Sequence, residues 1–445
     1  MDVILTHGYF LEEDQVEQKV LKPYPPLGLL CVSAYLDKYK IEHDVFDSTF
    51  QSFEKLTNFI VETKPAYLGI YANFLTRKNI LKIIRFIKNN HSLRYIKIIL
   101  GGPDVKYHAE DYLNNGADFL IIGEGEFTMF LLINSLKKGE SLEKIDGIVY
   151  KNESQKIIFT KPRSHFKNLD ELPWPNRNKI DIGKYLNTWK EKHGYNSITI
   201  NTQRGCPYTC KWCSHAVFGD TYRRRSPESV VEELAFLQEK YLPDSFWFVD
   251  DVFTMSEKWI DEFTSLLQKK NLKISYECIS RADKLNKNIV ENLKASGCNL
   301  LWIGAESGSQ KVIDLMDRRV DVLKVREMIK LASTSGIKTG TFIMLGYPGE
   351  TIEDIEETIR HLKECNPDYF TINMAYPIKG TKLFNEVESI ITNADYLFQT
   401  PDREIDFTRT YKKSFTILLF VKCIMKFIPK NIKLKKNGNY MSNAR

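Results

Sequence analysis

The sequence predicts an α/β protein in which an N-terminal doubly wound parallel sheet precedes a six-stranded partial (β/α) barrel. Three observations support this class: two series of apolar runs that alternate with helical segments, a proline-rich stretch between the series, and glycine or polar turns after the apolar runs. Strands that alternate with helices of about 10–15 residues are typical of parallel sheets. We expect a doubly wound domain at 1–140, a linker with a hairpin at 141–195, the barrel at 196–395, and an apolar, basic extension at 396–445.

The first series contains five predicted strands, and Pro25-Pro26 gives the start signal for its first helix. The strands are 3–5, 43–46, 67–71, 96–100 and 117–122, and the helices are 27–39, 53–63, 77–89 and 127–136. Ligands of doubly wound sheets bind beyond the carboxyl ends of the strands. Two glycine-rich turns lie at such ends, Gly101-Gly102 after the fourth strand and Gly123-Glu124-Gly125-Glu126 after the fifth.

The second series predicts six further strands after a linker that contains Leu172-Pro173-Trp174-Pro175, which cannot continue a helix. The linker hairpin is expected at 147–150 and 156–159, and the six strands at 197–201, 246–249, 274–279, 300–303, 339–345 and 369–374. Helical segments such as 227–241, 257–269 and 352–365 separate these strands. Six βα units are typical of a partial barrel, whose chemistry takes place at the carboxyl ends of its strands.

The charge pattern and the N-terminus limit the classes of partner that we expect. The net charge of +6 comes from interspersed acidic and basic residues, so it gives no reason to expect a nucleic-acid partner. The N-terminus lacks a basic leader followed by an apolar stretch, so we expect no signal peptide. No run approaches the roughly 18 apolar residues that span a bilayer, and the sequence therefore predicts a cytoplasmic protein.

Three of the eight cysteines, Cys206, Cys210 and Cys213, lie within one short loop that begins where the first barrel strand ends. The other five stand singly in apolar contexts, where cysteine acts as a small hydrophobic residue. Clusters of iron and sulfur normally take four thiolates, so three clustered thiolates would leave one iron open to bind a molecule such as S-adenosylmethionine. A zinc site with His215 as its fourth ligand, or cysteines with a purely structural role, are the alternatives.

The Cys-x3-Cys-x2-Cys spacing, with Trp212 before the third cysteine, resembles the signature of the radical S-adenosylmethionine superfamily. Residues 197–375 resemble the six-stranded partial barrel of that superfamily in order and spacing. The resemblance implies that the three cysteines ligate a 4Fe–4S cluster and form the catalytic centre. It also implies contacts to S-adenosylmethionine from Trp212, Asp250, Asp251, Ser280, Arg281, Gly304, Glu306, Ser307, Leu345 and Gly346.

The chain departs from the superfamily at Asp250-Asp251, where a Gly-Gly-Glu motif usually holds the methionine amino group. Because the two glycines are absent here, the resemblance implies only a polar contact to S-adenosylmethionine at this position. Taken singly, each implied contact is better explained as a turn residue or a surface ion pair. Their shared position at strand carboxyl ends, after the cysteine loop, favours the binding role.

The first 140 residues resemble the cobalamin-binding domain that precedes the barrel in many radical enzymes of this superfamily. The matching features are Pro26-Leu27-Gly28 and the two glycine-rich turns, where the backbone could approach a large flat macrocycle. The resemblance implies cobalamin contacts from Asn73, Gly101, Gly102, Gly123, Glu124, Gly125 and Glu126. Many cobalamin domains carry Asp-x-His-x-x-Gly after the first strand, whereas this chain has Thr6-His7-Gly8, so we expect no histidine on the lower face of cobalt. A doubly wound domain that binds another ligand, or none, is the alternative.

The combined resemblance implies an enzyme that reductively cleaves S-adenosylmethionine to a 5′-deoxyadenosyl radical and, with cobalamin, methylates an unactivated carbon. Such an enzyme would need a small-molecule substrate and an external electron donor. Oxidative cyclisation or rearrangement of a tetrapyrrole-like or lipophilic substrate, as in the anaerobic porphyrin-ring cyclase group, is the first alternative. A non-catalytic cobalamin or metal sensor is the second.

The C-terminal extension combines an apolar stretch at 414–428 with the lysines that follow it, Lys430, Lys433, Lys435 and Lys436. Apolar residues with lysines behind them suit a helix that lies on a membrane surface. The alternative, which the sequence favours over membrane contact, is a helix that packs against the barrel.

Overall fold

The computed structural model describes residues 2–392, 398 and 402–425. Its first sheet has seven strands: β1 (Val3–His7), β2 (His43–Phe46), β3 (Tyr67–Tyr71), β4 (Lys97–Gly101), β5 (Phe119–Ile121), β6 (Ile148–Lys151) and β7 (Ile157–Phe159). The helices of this part are α1 (Gln15–Val20), α2 (Leu27–Lys38), α3 (Phe53–Thr63), α4 (Arg77–Asn89), α5 (Ala109–Asn114) and α6 (Gly125–Lys138). The doubly wound sheet predicted from the sequence is confirmed.

The strand order of the first sheet, β2-β1-β3-β4-β5-β6-β7, places its topological switch point between β1 and β3. The first five strands are parallel, and β6 and β7 add an antiparallel hairpin to the edge. The hairpin that the sequence assigned to the linker is therefore part of this sheet, which continues to Phe159 beyond the expected boundary at residue 140.

The second sheet is entirely parallel and has six strands in the order β15-β14-β13-β12-β11-β8, which confirms the predicted partial barrel. Its strands are β8 (Ser197–Ile200), β11 (Ser245–Phe248), β12 (Tyr276–Ser280), β13 (Cys298–Glu306), β14 (Lys338–Leu345) and β15 (Tyr369–Met374). The helices around it are α8 (Pro227–Tyr241), α9 (Glu257–Lys269), α10 (Lys287–Ala295), α11 (Gln310–Leu315), α12 (Val322–Thr334), α13 (Ile352–Cys365) and α14 (Lys382–Val387).

Two elements that the sequence did not predict hold the site in place. A two-stranded antiparallel ribbon of β9 (Gln203–Arg204) and β10 (Arg223–Arg224) forms the base of the cysteine loop. The linker contains a helix, α7 (Ile182–His193), whose buried Trp189 donates a hydrogen bond to the Pro23 carbonyl oxygen at 2.8 Å. The linker therefore joins the two sheets instead of separating them.

The C-terminal extension crosses both halves of the molecule. Arg77 of α4, with 1% of its surface exposed, binds Asp104 at 2.5 Å and Asp402 of the extension at 3.0 Å. Arg409 donates to the carbonyl oxygens of Gly346 and Ala375, each at 2.7 Å, at the ends of the last two barrel strands. The extension thus ties the first domain to the barrel.

The last described element, α15 (Lys413–Met425), packs Phe420 into the barrel core, in agreement with the alternative of a barrel-packed helix. The lysines expected to face a membrane, Lys430, Lys433, Lys435 and Lys436, lie outside the described residues. Within the described ranges, none of the helices has the length and apolarity needed to cross a membrane.

We predict that Arg77→Met lowers the free energy of unfolding by about 3–5 kcal/mol, because it leaves two buried carboxylates without their cation. Urea denaturation followed by circular dichroism measures the change. Arg85→Met on the exposed face of the same helix is the matched control. A loss in Arg77→Met no larger than in the control would contradict the structural role of this ion pair.

Candidate active site in a chamber between two sheets

One large cavity lies between the carboxyl ends of the first sheet and the barrel, with a volume of about 1670 Å³. Its wall includes the glycine-rich turns of the first domain and the cysteine loop. Because parallel strands all end at the same edge, each sheet presents its turns together, and here the two edges open into one chamber.

The first domain forms its side of the chamber largely from glycine. Gly102 has a φ of +112°, and a Cβ there would lie 2.4 Å from the Ala72 carbonyl oxygen, so only glycine fits. A Cβ on Gly101 would meet no atom closer than 3.9 Å and would occupy space at the chamber wall. Below these turns, apolar residues extend the cavity between the sheet and its helices, including Leu5, Val32, Ile99, Ile121 and Met129.

The asparagine and the two glutamates that were predicted to contact cobalamin lie at the same wall, but their side chains bind other parts of the protein. Asn73 accepts from the backbone N–H groups of Leu75 and Thr76, each at 3.0 Å. Glu124 and Glu126 bind arginines at the base of the cysteine loop. Gly123 and Gly125 lie on the chamber wall beside them.

His7 does not face the chamber in the described structure. Its Nε2 lies 3.0 Å from an Asp47 oxygen, and its Nδ1 accepts from the Tyr9 backbone N–H at 3.2 Å. The side chain is 4% exposed, and both ring nitrogens have partners. His7, the last residue of β1, therefore does not line the chamber.

All three clustered cysteines line the chamber together with Trp212. A hydrogen bond from Cys213 and the guanidinium groups of Arg318 and Arg281 lower the pKa of Cys210 to about 6, which favours its thiolate. The pKa of Cys206 is raised to about 11 by burial. Among the described side chains, no three His, Cys, Asp or Glu residues converge as a single metal ion requires, and His215 is engaged with Asp220.

Two arginines enclose the cysteine loop from the barrel side. Arg281 lies 3.6 Å from the centre of the Tyr208 ring, and its Nη1 donates to Cys210 Sγ at 3.8 Å. Arg318 donates to the Gly304 carbonyl oxygen at 2.7 Å and lies 5.6 Å from the Trp212 ring. Arg281 was predicted from the sequence, whereas Arg318 was missed because it follows a short helix and belongs to no motif.

Asp250 and Asp251 close the second barrel strand but have different surroundings. Asp250 is 2% exposed and accepts from the Thr202 and Gln203 backbone N–H groups at 2.7 and 3.1 Å. Burial raises its pKa, while Arg224 opposes that shift. Asp250 therefore fixes the strand that leads into the cysteine loop, whereas the exposed Asp251 extends into the chamber.

Glu306 closes the fourth barrel strand at a β-bulge, where the register with β14 shifts between Gly304 and Glu306. Its φ of +65° turns the side chain toward the chamber, 3.5 Å from an Arg318 nitrogen. Burial raises the pKa of Glu306, and Arg318 counteracts it. A Cβ on Gly304 would lie 2.3 Å from an Arg318 guanidinium nitrogen, so a glycine at this position leaves room for the guanidinium group.

Of the remaining residues predicted to contact S-adenosylmethionine, some line the chamber and others do not. Ser280 lines the chamber and shares a short hydrogen bond with Thr254. Ser307 faces Thr358 at 3.0 Å, and Leu345 is buried in the barrel core, so neither is on the described chamber wall. Gly346 donates to Glu350 at 2.5 Å, behind the wall. Roles for these residues in binding S-adenosylmethionine stay predictions.

Two family profiles match the chain. The Radical SAM superfamily profile matches residues 200–362, and the B12 binding domain profile matches residues 16–132. The first covers the cysteine loop and most of the barrel, and the second covers both glycine-rich turns but neither β1 nor the β6–β7 hairpin. The cofactors predicted from the sequence, a 4Fe–4S cluster, S-adenosylmethionine and cobalamin, are the ones that these two domains bind.

The chain is also similar to individual proteins. It is 30% identical to an uncharacterized methyltransferase from Pyrococcus horikoshii, over 84% of this chain and 80% of that relative. It is 27% identical to an anaerobic magnesium-protoporphyrin IX monomethyl ester cyclase from Rubrivivax gelatinosus, over 64% of this chain and 52% of that relative.

Solved structures share the fold. The radical S-adenosylmethionine methyltransferase TsrM from Kitasatospora setae, solved with cobalamin and a 4Fe–4S cluster, has a TM-score of 0.75 at 16% identity, over 97% of this chain and 92% of that one. The cobalamin-dependent radical enzyme OxsB has a TM-score of 0.76 at 18% identity, over 94% of this chain and 66% of that one. The chain therefore belongs to the radical S-adenosylmethionine superfamily, among the enzymes in which a cobalamin-binding domain precedes the barrel.

Proposed function

We propose that this enzyme methylates an unactivated carbon of a small-molecule substrate, with its cluster, S-adenosylmethionine and cobalamin in the single chamber. The observation that carries this proposal is the continuity of the cavity, whose wall includes both Gly101-Gly102 and Cys206. Cofactors bound to different domains would therefore face each other with no protein layer between them. A protein that only sensed cobalamin would have no use for the thiols and strand-end polar groups of the opposite wall.

The cysteine loop fits an iron–sulfur cluster. Its donor set is three thiols on one short loop, with two guanidinium groups beside Cys210 to offset the negative charge of a thiolate-bound cluster. We propose that Cys206, Cys210 and Cys213 hold the cluster and that Asp251, Glu306 and Trp212 contact S-adenosylmethionine. When bound, the cluster supplies the electron that cleaves S-adenosylmethionine, and cobalamin carries the methyl group.

The first domain fits cobalamin. The glycine turns at 101–102 and 123–125 leave room for a flat macrocycle, and the apolar extension of the cavity beside Leu5 and Met129 can hold a tail that projects from it. We propose that the backbone of these turns contacts the ring. His7 is given no role at its lower face, since its ring nitrogens are bound to Asp47 and the Tyr9 backbone away from the chamber.

The residues of the chain itself bind, orient and exclude water. Arg281 and Arg318 hold the cysteine loop against the barrel, and the bulge at Glu306 directs a carboxylate to the chamber. We propose that the substrate occupies the side of the chamber where Phe74, Tyr107, Tyr376 and Lys379 form the wall. The Phe74 and Tyr376 ring centres are 6.3 Å apart, so this side suits a substrate with an apolar or aromatic face.

The relatives support methyl transfer as the outcome. The relative from Pyrococcus horikoshii and the structural neighbour TsrM are both named as methyltransferases, whereas the Rubrivivax relative is named as a cyclase. The reaction also requires an external electron donor. We propose methyl transfer as the activity and cyclisation as its alternative.

We predict that Cys206→Ala, Cys210→Ala and Cys213→Ala each abolish the visible absorbance of the reconstituted cluster, because each removes one of only three thiolate ligands. Anaerobic reconstitution with iron and sulfide, followed by iron analysis, measures the loss. Cys298→Ala, which changes a cysteine buried in the barrel core, is the matched control and should keep its cluster. Full iron content in any of the three loop variants would refute the ligand assignment.

We predict that the reduced, cobalamin-loaded enzyme transfers the labelled methyl group of S-adenosylmethionine to its cobalamin fraction, because both molecules face one chamber. Mass spectrometry of the extracted cobalamin and of released 5′-deoxyadenosine measures the outcome, with Cys210→Ala as the inactive control. Release of deoxyadenosine with no label in cobalamin would favour the cyclase type instead. Absence of both products would overturn the enzymatic proposal.

A further inference from the structure

The cysteine loop is closed at its base by an unfavourable arrangement of charge. In the β9–β10 ribbon, Arg204 and Arg223 are directly opposite each other, immediately outside the loop that carries the three cysteines. Like charges opposite each other destabilise an antiparallel pair. Arg204 is only 6% exposed, so solvent screens this repulsion poorly.

A single turn of the first domain supplies the opposite charge. Glu124 accepts from Arg204 Nη1 at 2.7 Å and from Arg223 Nη1 at 2.9 Å, and Glu126 accepts from Arg204 Nη2 at 2.5 Å. Burial raises the pKa of Glu124, but the two guanidinium groups outweigh it and hold that pKa below its ordinary value. Two carboxylates thus neutralise two arginines at the base of the loop.

The oxygens of Glu124 have further protein partners. Its Oε2 accepts from the Phe166 backbone N–H at 3.0 Å and lies 3.1 Å from His165 Nδ1. Both glutamate side chains are at most 7% exposed although they lie at the chamber wall. Their hydrogen-bonding capacity is therefore directed at the protein rather than at a ligand.

The backbone of the turn shows the same relationship to the loop. Gly123 has a φ of +86°, and a Cβ there would lie 3.6 Å from the carbonyl oxygen of Val217, a residue of the cysteine loop. Arg204 also lies 5.3 Å from the ring of Phe218 in that loop. The glycine-rich turn after β5 therefore lies beside the cysteine loop, and its carboxylates bind the base of that loop.

We infer that Glu124 and Glu126 are positioning residues for the cysteine loop. They neutralise Arg204 and Arg223, so the pairing of β9 with β10 at the base of the loop depends on the first domain. On this view the glycines of the turn serve the macrocycle and the glutamates serve the cluster loop. The inference goes beyond methyl transfer, because it concerns how one cofactor site shapes the other and holds for any reaction in the chamber.

The test uses the full-length Glu124→Gln protein, which keeps the shape of the side chain and removes its charge. Breaking a buried ion pair by removing one partner costs enough to favour the open form of a local element by about 100-fold. We expect amide hydrogen exchange at 205–222 in the cluster-free protein to accelerate by about that factor. After reconstitution, the electron paramagnetic resonance spectrum of the reduced cluster should change, while the dissociation constant of cobalamin stays within about threefold of the parent value.

A second substitution separates charge from packing. In the double variant Glu124→Gln/Arg223→Gln only Arg204 remains of the two opposed arginines, and it keeps Glu126 as partner. We expect this double variant to recover most of the slow exchange and the parent spectrum. Glu140→Gln, an exposed carboxylate just after the same helix, is the matched control and should change neither readout.

If Glu124→Gln does not fold, Glu126→Gln provides the same test. Of the two arginines, Glu126 binds only Arg204, so this change removes less of the neutralising charge. The inference is overturned if the glutamate variants weaken cobalamin binding tenfold or more while loop exchange and the cluster spectrum stay as in the parent. It is also overturned if the double variant is worse than the single one. None of these measurements needs turnover, so they stand apart from the test of methyl transfer.

Discussion

The neutralisation of Arg204 and Arg223 by the glutamates that follow β5 is the contact on which the chamber depends. Two sheets with open carboxyl edges have no intrinsic reason to face each other, since each could bury its own core alone. Buried ion pairs give little net stability but are strongly directional, because breaking them leaves uncompensated charge. The pairing therefore favours the arrangement in which the two edges face each other across the chamber.

The same logic recurs at other junctions of the two halves. Arg177 of the linker and Arg225 share Glu233 of α8, and Arg77 joins the first domain to the C-terminal extension through Asp104 and Asp402. Arg177 and Arg77 each bind a carboxylate that is distant along the chain, for which the planar fork of guanidinium donors is suited. These buried junctions make the two-domain enzyme one body around its cavity.

Electrostatics also separates the roles of neighbouring carboxylates in the barrel. Asp250 and Asp251 are adjacent in sequence and both line the chamber, but only Asp250 is buried. The first is consumed by backbone N–H groups of the strand that leads into the cysteine loop, and the second extends into the chamber. Glu306 reaches the same chamber only because a bulge ends its strand.

The amino-acid sequence by itself determined the parallel strands of both sheets and the cysteine cluster, because apolar periodicity and the close spacing of thiols are local properties of the chain. For several elements, including α3, α4 and β15, the bounds predicted from the sequence are the same as those in the structure. Only the tertiary structure decided the partners of the polar residues. Glu124 and Glu126 look like ligand contacts when read along the chain, and Arg318 looks like an ordinary surface residue. Their roles depend on residues that are far away in sequence, and no local pattern encodes the distance between a turn in one domain and a loop in the other.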